Sequence, residues 1–422
     1  MLDQLAEKYP DLPDAVRLKA ALLYAGVRYD DCLAAAGEWA FPNFMPHHIA
    51  PPAPPYKGQR RIPIPYLLRL DDDTQVRLRI KTESPFSIRA AGAARSYTLF
   101  EEERPLSGLS FEPKQPWVDS LTADGTPMKA TGLSQHGDML VLNVAPGCEY
   151  FQAPLAGGGQ ENLSCKFCLY GLPDQRMKPL GQELFVVQTP SETMQRVIEA
   201  CAHPETKARH LYLVGGSLLD PTQEGERFIA QAAALAEHGL CERYYVACGS
   251  GAIPRSAMEK LRALGVRGAC FNLEVWDPKQ FERVCPGKAR FVGRDRWIEA
   301  LTDAVEVFGP ENTMTAFVAG AEMDGEGGFT DPEEALASNL AGAEALLERG
   351  IQPIFSLHWK MTGKDRGMEP LYSLDLFLRL NLELAKLRRR FNQPINPDFF
   401  CHRCAYMQIE PDIDRMLWGA QA

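Results

Sequence analysis

Cys148, Cys165 and Cys168 are the residues of this chain whose type and spacing most directly imply chemistry. They lie in the stretch 148–170, CEYFQAPLAGGGQENLSCKFCLY, which closes on Cys165-Lys-Phe-Cys168 with an aromatic residue just before the last cysteine. Cys148 follows the apolar run Met139-Leu-Val-Leu-Asn-Val-Ala145 and a Pro-Gly turn. Three thiolates on one loop at the end of a strand are soft ligands suited to an iron–sulfur cluster. Three ligands rather than four leave one iron open to a small molecule. Three unrelated buried cysteines, or a structural zinc site, would read the same way at this level.

A second metal-like signal lies in the tail, Cys401-His402-Arg403-Cys404. Such a pair suits zinc or an auxiliary iron–sulfur cluster, and each of these takes about four ligands. The tail offers two cysteines and His402; Cys241, Cys248, Cys270 or Cys285, or a substrate, would have to complete the set. A free thiol pair that braces the fold is the plain alternative.

The elements that must hold these residues follow from pattern. Residues 3–40 read as helical with a break at Pro10 and Pro13, and Val16, Ala20, Leu23 and Val27 recur at helical spacing. The proline-rich segment 41–55 reads as a linker or surface arm. Over 62–99 apolar and polar residues alternate, as in Gln75-Val-Arg-Leu-Arg-Ile80, behind the turn-forming Asp71-Asp-Asp-Thr74. Residues 1–135 are therefore expected to form an α+β module. From 139 the pattern changes to strands at 139–145, 210–214, 243–248, 269–274, 313–318 and 351–358, with amphipathic helices between them. Thr189-Pro-Ser-Glu192 reads as a capping box with proline at the first helical position, and Asp331-Pro-Glu-Glu334 as a similar device. Gly265, Gly309 and Gly350 read as helix stops, and Ser373 opens a last helix to about 391. Six strand–helix units call for parallel strands with right-handed crossovers, an α/β fold closed only part of the way to a barrel. Its site would be the rim at the C-terminal ends of the strands, where the cysteine loop falls. The core is expected over 136–392 and the Cys-x-x-Cys tail over 393–422.

On that rim, the second strand ends in Gly215-Gly216-Ser217, and the third in a small-residue turn holding Ser250. The fourth ends in Asn272-Leu-Glu274, where a solvated surface carboxylate is the alternative reading. The fifth carries Gly320 and Glu322, and the sixth ends at His358. Apolar content of 45% and charged content of 24% are ordinary for a globular protein. A formal charge of −10 argues against nucleic-acid binding. No run of apolar residues spans a bilayer, and MLDQLAEKYPDLPD lacks the pattern of a secretory signal. Eleven cysteines without such a signal imply reduced thiols and a cytoplasmic home.

In their order along the chain these features resemble the radical S-adenosylmethionine (SAM) superfamily. The Cys-x-aromatic-Cys ending, Gly-Gly after strand two, Asn-Leu-Glu after strand four and Gly-x-Glu after strand five fall in the family's sequence. Phe271-Asn-Leu-Glu-Val-Trp276 followed by Cys285-Pro-Gly-Lys288 is similar to the biotin synthase and lipoyl synthase branch. The resemblance covers about 139–360 and identifies no subfamily. It implies a partial (β/α)6 TIM-like barrel of the radical SAM type, a [4Fe-4S] cluster on Cys148, Cys165 and Cys168, and SAM. It further implies an electron donor such as a flavodoxin or ferredoxin, and a small-molecule substrate. Gly215, Gly216, Ser217, Ser250, Glu274, Gly320 and His358 would line the SAM site, Ser217 standing where an acid is usual. A basic residue, Arg290 or Arg294, would pair with the SAM carboxylate; Arg294 is the expected one. The family's first cysteine gap is three residues, whereas here it is sixteen. That spacing would put a ligand at Glu161, a hard carboxylate poorly matched to an iron–sulfur core. Lengthening the loop adds only about 1.5 kcal/mol of closure cost, and Gly157-Gly-Gly159 lets the chain fold back. The competing reading is a zinc or iron–sulfur protein without radical chemistry, a scaffold or electron carrier.

Overall fold

The apolar runs expected as strands lie side by side in chain order. Met139–Leu142, His210–Val214, Tyr245–Gly249, Val266–Cys270, Thr313–Ala319 and Gln352–Leu357 are successive neighbours in one sheet. The first five are joined by parallel pairing: His210 stands between Met139 and Tyr245, and Ala269 opposite Thr313. Leu211, Leu213, Val246 and Cys248 are fully buried, as parallel strands covered on both faces require. Helices Ser191–Cys201, Pro221–Ala236, Arg255–Ala263, Arg294–Phe308 and Pro332–Leu347 fill the crossovers. The result is an α/β fold, a partial (β/α)6 barrel. The computed structural model describes residues 1–46, 54–59, 61–143, 147–168, 189–249, 251–362 and 367–419.

Local signals account for most of the boundaries. Asp331 accepts the Glu333 amide at 2.9 Å with Pro332 in the first turn. Gly265, Gly309 and Gly350 end their helices at φ of 95°, 94° and 76°, a region closed to most side chains. Ser373 Oγ accepts the Leu376 amide at 3.1 Å and opens Leu374–Phe391. The expected capping box at 189–192 does not form. Pro190 occupies the N-cap of Ser191–Cys201 without a side-chain oxygen to offer, and Thr189 Oγ1 instead accepts from Gln231 Nε2 at 3.1 Å. The sheet also gains a strand that pattern did not show. Leu133–His136 pairs antiparallel with Met139–Leu142 through a turn at Gly137, whose φ is 61°.

Two compact units emerge, one of Pro116–Ser356 with Lys386–Phe399, the other of Met1–Gln115 with Leu357–Ala385 and Phe400–Ala422. The first contains the sheet described above. The second has three N-terminal helices, Leu2–Lys8, Asp14–Ala25 and Asp31–Gly37, and a five-stranded antiparallel sheet. In that sheet Arg104–Phe111 is central, flanked by Leu67–Leu70 and Tyr97–Glu101. Part of the segment read as a linker is a strand: Pro42–Pro46 pairs antiparallel with Arg61–Pro65. A two-stranded ribbon has only edges, so its prolines interrupt no inner ladder. Lys19, wholly buried, reaches Asp412 Oδ2 at 2.5 Å and the Ala405 carbonyl at 2.6 Å, tying the tail to the second helix.

Candidate functional site

The long loop between Cys148 and Cys165 folds back on itself. Ala153–Pro154 pairs antiparallel with Gln160–Glu161, and the turn is made by Gly158 and Gly159 at φ of 89° and 91°. Tyr150, almost fully buried, stacks on Phe291 with ring centroids 5.9 Å apart and takes the Leu163 amide on its carbonyl at 2.7 Å. The insertion is thus a closed hairpin whose two ends meet. Cys168 is drawn toward Cys165 by a turn, Cys168 N to Cys165 O at 2.9 Å.

At the head of this loop Cys148 is anchored to the end of the second barrel strand. The Glu149 amide donates to the Ser217 carbonyl at 2.9 Å, and Glu149 Oε2 accepts the Leu219 amide at 2.7 Å. The Tyr150 and Ser217 backbones hydrogen-bond to the Cys148 sulfur, while burial pushes its thiol up to about 11. Gly216 is glycine for a reason visible here: a Cβ on it would lie 1.8 Å from the Gly147 carbonyl oxygen. The close approach that Gly216 permits is to the chain's own cysteine loop. Buried Glu224 secures the same corner, accepting the Leu218 amide at 2.9 Å and the Gly251 amide at 2.6 Å.

Behind Cys165 lies a buried polar cluster. Cys285 follows helix Pro278–Val284, has no exposure and lies beside Cys165. Lys288 extends its ammonium to Glu274 Oε1 at 3.0 Å and to the Asn272 carbonyl at 2.5 Å, over the face of Trp297 at 4.5 Å. The neighbouring Cys285 and the Lys288 ammonium hold the Cys165 thiol below its ordinary range, against burial. Burial disfavours the charge on Lys288, but Glu274, Cys165 and Cys285 outweigh it and keep the ammonium protonated. Glu274 is 9% exposed and adopts φ 75°, costly for a side chain of its kind by about 1–3 kcal/mol. Its amide and carbonyl bridge to Ala316 and Val318 of the fifth strand, which fixes the turn.

The remaining expected residues are distributed as follows. Arg294 is half-buried, with Nε donating to the Trp276 carbonyl at 2.8 Å and the guanidinium 4.3 Å from the Trp276 ring. Arg290 pairs with Glu161, so the carboxylate at the family-spaced position has a cationic partner. Gly320 sits at φ 101° and donates its amide to Glu322 at 3.1 Å; Glu322 is buried and held by Asn339 at 2.6 Å. Gly215 and Ser217 are half-buried at the strand end. Ser250 lies outside the described residues. His358 is buried and belongs to the other unit, as do Cys401 and Cys404, whose sulfurs are 3.3 Å apart. Lys288 was not among the expected site residues, and Cys285 was named only as one possible ligand to complete the tail set. The Cys-Pro-Gly-Lys motif that contains both was the available signal.

No family profile matches the chain. A bacteriochlorophyllide c C-7(1)-hydroxylase of Chlorobaculum limnaeum is 24% identical over 314 residues, covering 69% of this chain and 70% of the relative. The resemblance is to radical SAM enzymes. Among solved structures, a methylornithine synthase matches 66% of this chain and 79% of its own at 12% identity, with a TM-score of 0.38. A radical SAM methyltransferase from Sphaerobacter thermophilus matches 75% and 77% at 14% identity, also with a TM-score of 0.38. The radical SAM resemblance implies an iron–sulfur cluster and SAM, and the donor set fits the cluster. Cys148 and Cys165 have soft sulfur donors; the buried ammonium beside Cys165 favours its thiolate, whereas burial holds Cys148 as the thiol, so a metal would have to displace its proton. Among the described residues, no helix is long and apolar enough to cross a membrane.

Proposed function

We propose that the protein is a radical SAM enzyme acting on a small molecule, with Cys148, Cys165 and Cys168 holding a [4Fe-4S] cluster. The observation that carries this reading is the closed hairpin that returns Cys165 toward Cys148 at the C-terminal ends of the barrel strands. When bound, the cluster and SAM would supply reductive carbon–sulfur cleavage and a 5′-deoxyadenosyl radical. The chain's part is to bind and orient. The Gly216 backbone and Glu149 fix the entry of the loop, so Cys148 presents its sulfur at a set place. Arg294, half-buried with Nε on the Trp276 carbonyl, and Lys288, paired with Glu274, are the two candidates for the cation that would meet a SAM carboxylate. Glu274, Gly320 and the Gly215–Ser217 turn would line the rest of the SAM site. Cys401 and Cys404 would hold a second metal centre. An electron donor of the flavodoxin or ferredoxin kind would deliver the electron, in a reducing, cytoplasmic setting.

The test is anaerobic purification followed by reduction with SAM. Brown protein with visible charge-transfer absorbance that releases 5′-deoxyadenosine supports the reading. A brown protein that leaves SAM intact supports instead an iron–sulfur carrier, and a colourless protein containing zinc a structural metal site.

A further inference from the structure

Three cations leave the same side of one extended segment. Arg77, Arg79 and Lys81 alternate with Val76, Leu78 and Ile80, whose side chains are buried, so the period of two puts the charges together on the opposite face. The backbone beneath them is fixed. The Arg77 amide donates to the Tyr406 carbonyl at 2.8 Å, the Leu78 amide to the Tyr66 carbonyl at 3.1 Å, and the Val27 amide to the Arg79 carbonyl at 2.8 Å. The charges are met differently. Lys81 Nζ lies 2.8 Å from Glu369 Oε2. Arg77 and Arg79 meet aromatic faces instead, Arg77 at 3.7 Å from the centre of the Tyr66 ring and Arg79 at 4.5 Å from that of Trp359. Among the described residues no carboxylate pairs with either guanidinium, and Arg79 Nε is buried without a hydrogen-bond partner.

We propose that Arg77 and Arg79 form a binding site for the oxyanion of a small molecule, a carboxylate or a phosphate, in the unit that holds the antiparallel sheet. Stacking uses the face of a guanidinium and leaves the N–H groups along its edge, the fork that matches a carboxylate or a phosphate. Two such forks two residues apart, with no acid between them, repel each other. Burial, together with the Arg77 charge, pushes the Arg79 guanidinium down to about 9. A bound anion relieves both costs. Tyr66 and Trp359 hold the two side chains in place, so less freedom is lost on binding than with arginines in solvent. Both arginines keep partial exposure, which gives a ligand a way in. A chain of formal charge −10 has no general attraction for anions, so capture here is specific to this pair.

The experiment titrates the full chain, purified without air, with inorganic phosphate and separately with succinate in a calorimeter, each against chloride at equal ionic strength. It depends on neither iron nor SAM, so its outcome is independent of the radical SAM reading. Saturable binding of phosphate, of succinate or of both is expected, and which of them binds identifies the oxyanion. Arg77→Gln/Arg79→Gln is expected to weaken that binding about tenfold or more. Lys81→Gln removes a cation already paired with Glu369 and is expected to stay near the parent affinity. Arg79→Lys keeps the charge and loses the fork; it is expected to bind several-fold more weakly, and it carries the test should the double variant fold poorly. A parent that binds neither anion saturably overturns the proposal, as does parent affinity in the arginine variants. An equal loss in Lys81→Gln also overturns it, by assigning the effect to charge in general.

Discussion

Lys288 and Glu274 form an ion pair with Nζ 3.0 Å from Oε1 and side chains 8% and 11% exposed. The carboxylate at the end of the fourth strand is therefore committed to a partner inside the barrel. Removing one member leaves the other charge buried without compensation, which costs about 3–5 kcal/mol. Lys288→Met is expected to lose that much in urea unfolding of the anaerobic protein. The double variant Glu274→Met/Lys288→Met should recover most of the loss. Additive losses would show that the two groups do not interact.

The same pair bears on SAM. Lys288, paired with Glu274, and Arg294, with Nε on the Trp276 carbonyl, are the two candidates for the carboxylate contact. Of Lys288→Gln and Arg294→Gln, the variant that removes the contact is expected to weaken SAM binding about tenfold, about 1.4 kcal/mol, in calorimetry with iron content retained. Parent affinity in both variants would take the contact away from both residues.

Cys148 and Glu161 compete on paper for the first ligand position, and their surroundings differ. Glu161 is ion-paired with Arg290 near the surface, while backbone hydrogen bonds hold the Cys148 sulfur. Cys148→Ala is expected to lose most of its iron and its paramagnetic signal on reduction; Glu161→Ala should keep both. A full cluster in Cys148→Ala would remove that residue from the ligand set.

Gly216→Ala tests the anchoring of the loop. Its Cβ would meet the Gly147 carbonyl oxygen at 1.8 Å, a backbone atom that cannot swing aside. The strain is expected to cost about 1–3 kcal/mol in thermal or urea unfolding and to lower iron uptake. Gly157→Ala, with nothing within 4 Å, is the control and should be neutral. Equal behaviour of the two variants would show that the close approach is not needed.

The tail pair gives a separate prediction. Cys401 and Cys404 are buried with sulfurs 3.3 Å apart, near enough to share one metal ion. The double variant Cys401→Ser/Cys404→Ser is expected to lose about one equivalent of zinc or an iron equivalent not carried by the loop cluster. The signal of the Cys148 loop should be unchanged. Identical metal content in parent and variant would leave the pair without a metal role.

The sequence by itself determined what depends on near neighbours. Apolar runs set the six strands, Asp331 capped its helix, and Gly265, Gly309 and Gly350 stopped theirs, because each signal acts within a few residues. Gly158 and Gly159 even foretold the fold-back of the long loop. Where a local signal met a distant competitor it failed, as Thr189 did when Gln231 took its hydroxyl. Tertiary structure alone decided the rest. Lys166 meets the Val284 carbonyl and Leu163 the Gly287 amide only because segments far apart in the chain come together, and no composition or period encodes that contact. Gly216 was legible only as part of a strand-end glycine pair, and that the Gly147 backbone closes on it was decided by the fold. Glu274 looked like a rim carboxylate until burial, which makes a lone charge prohibitively costly, required Lys288 beside it.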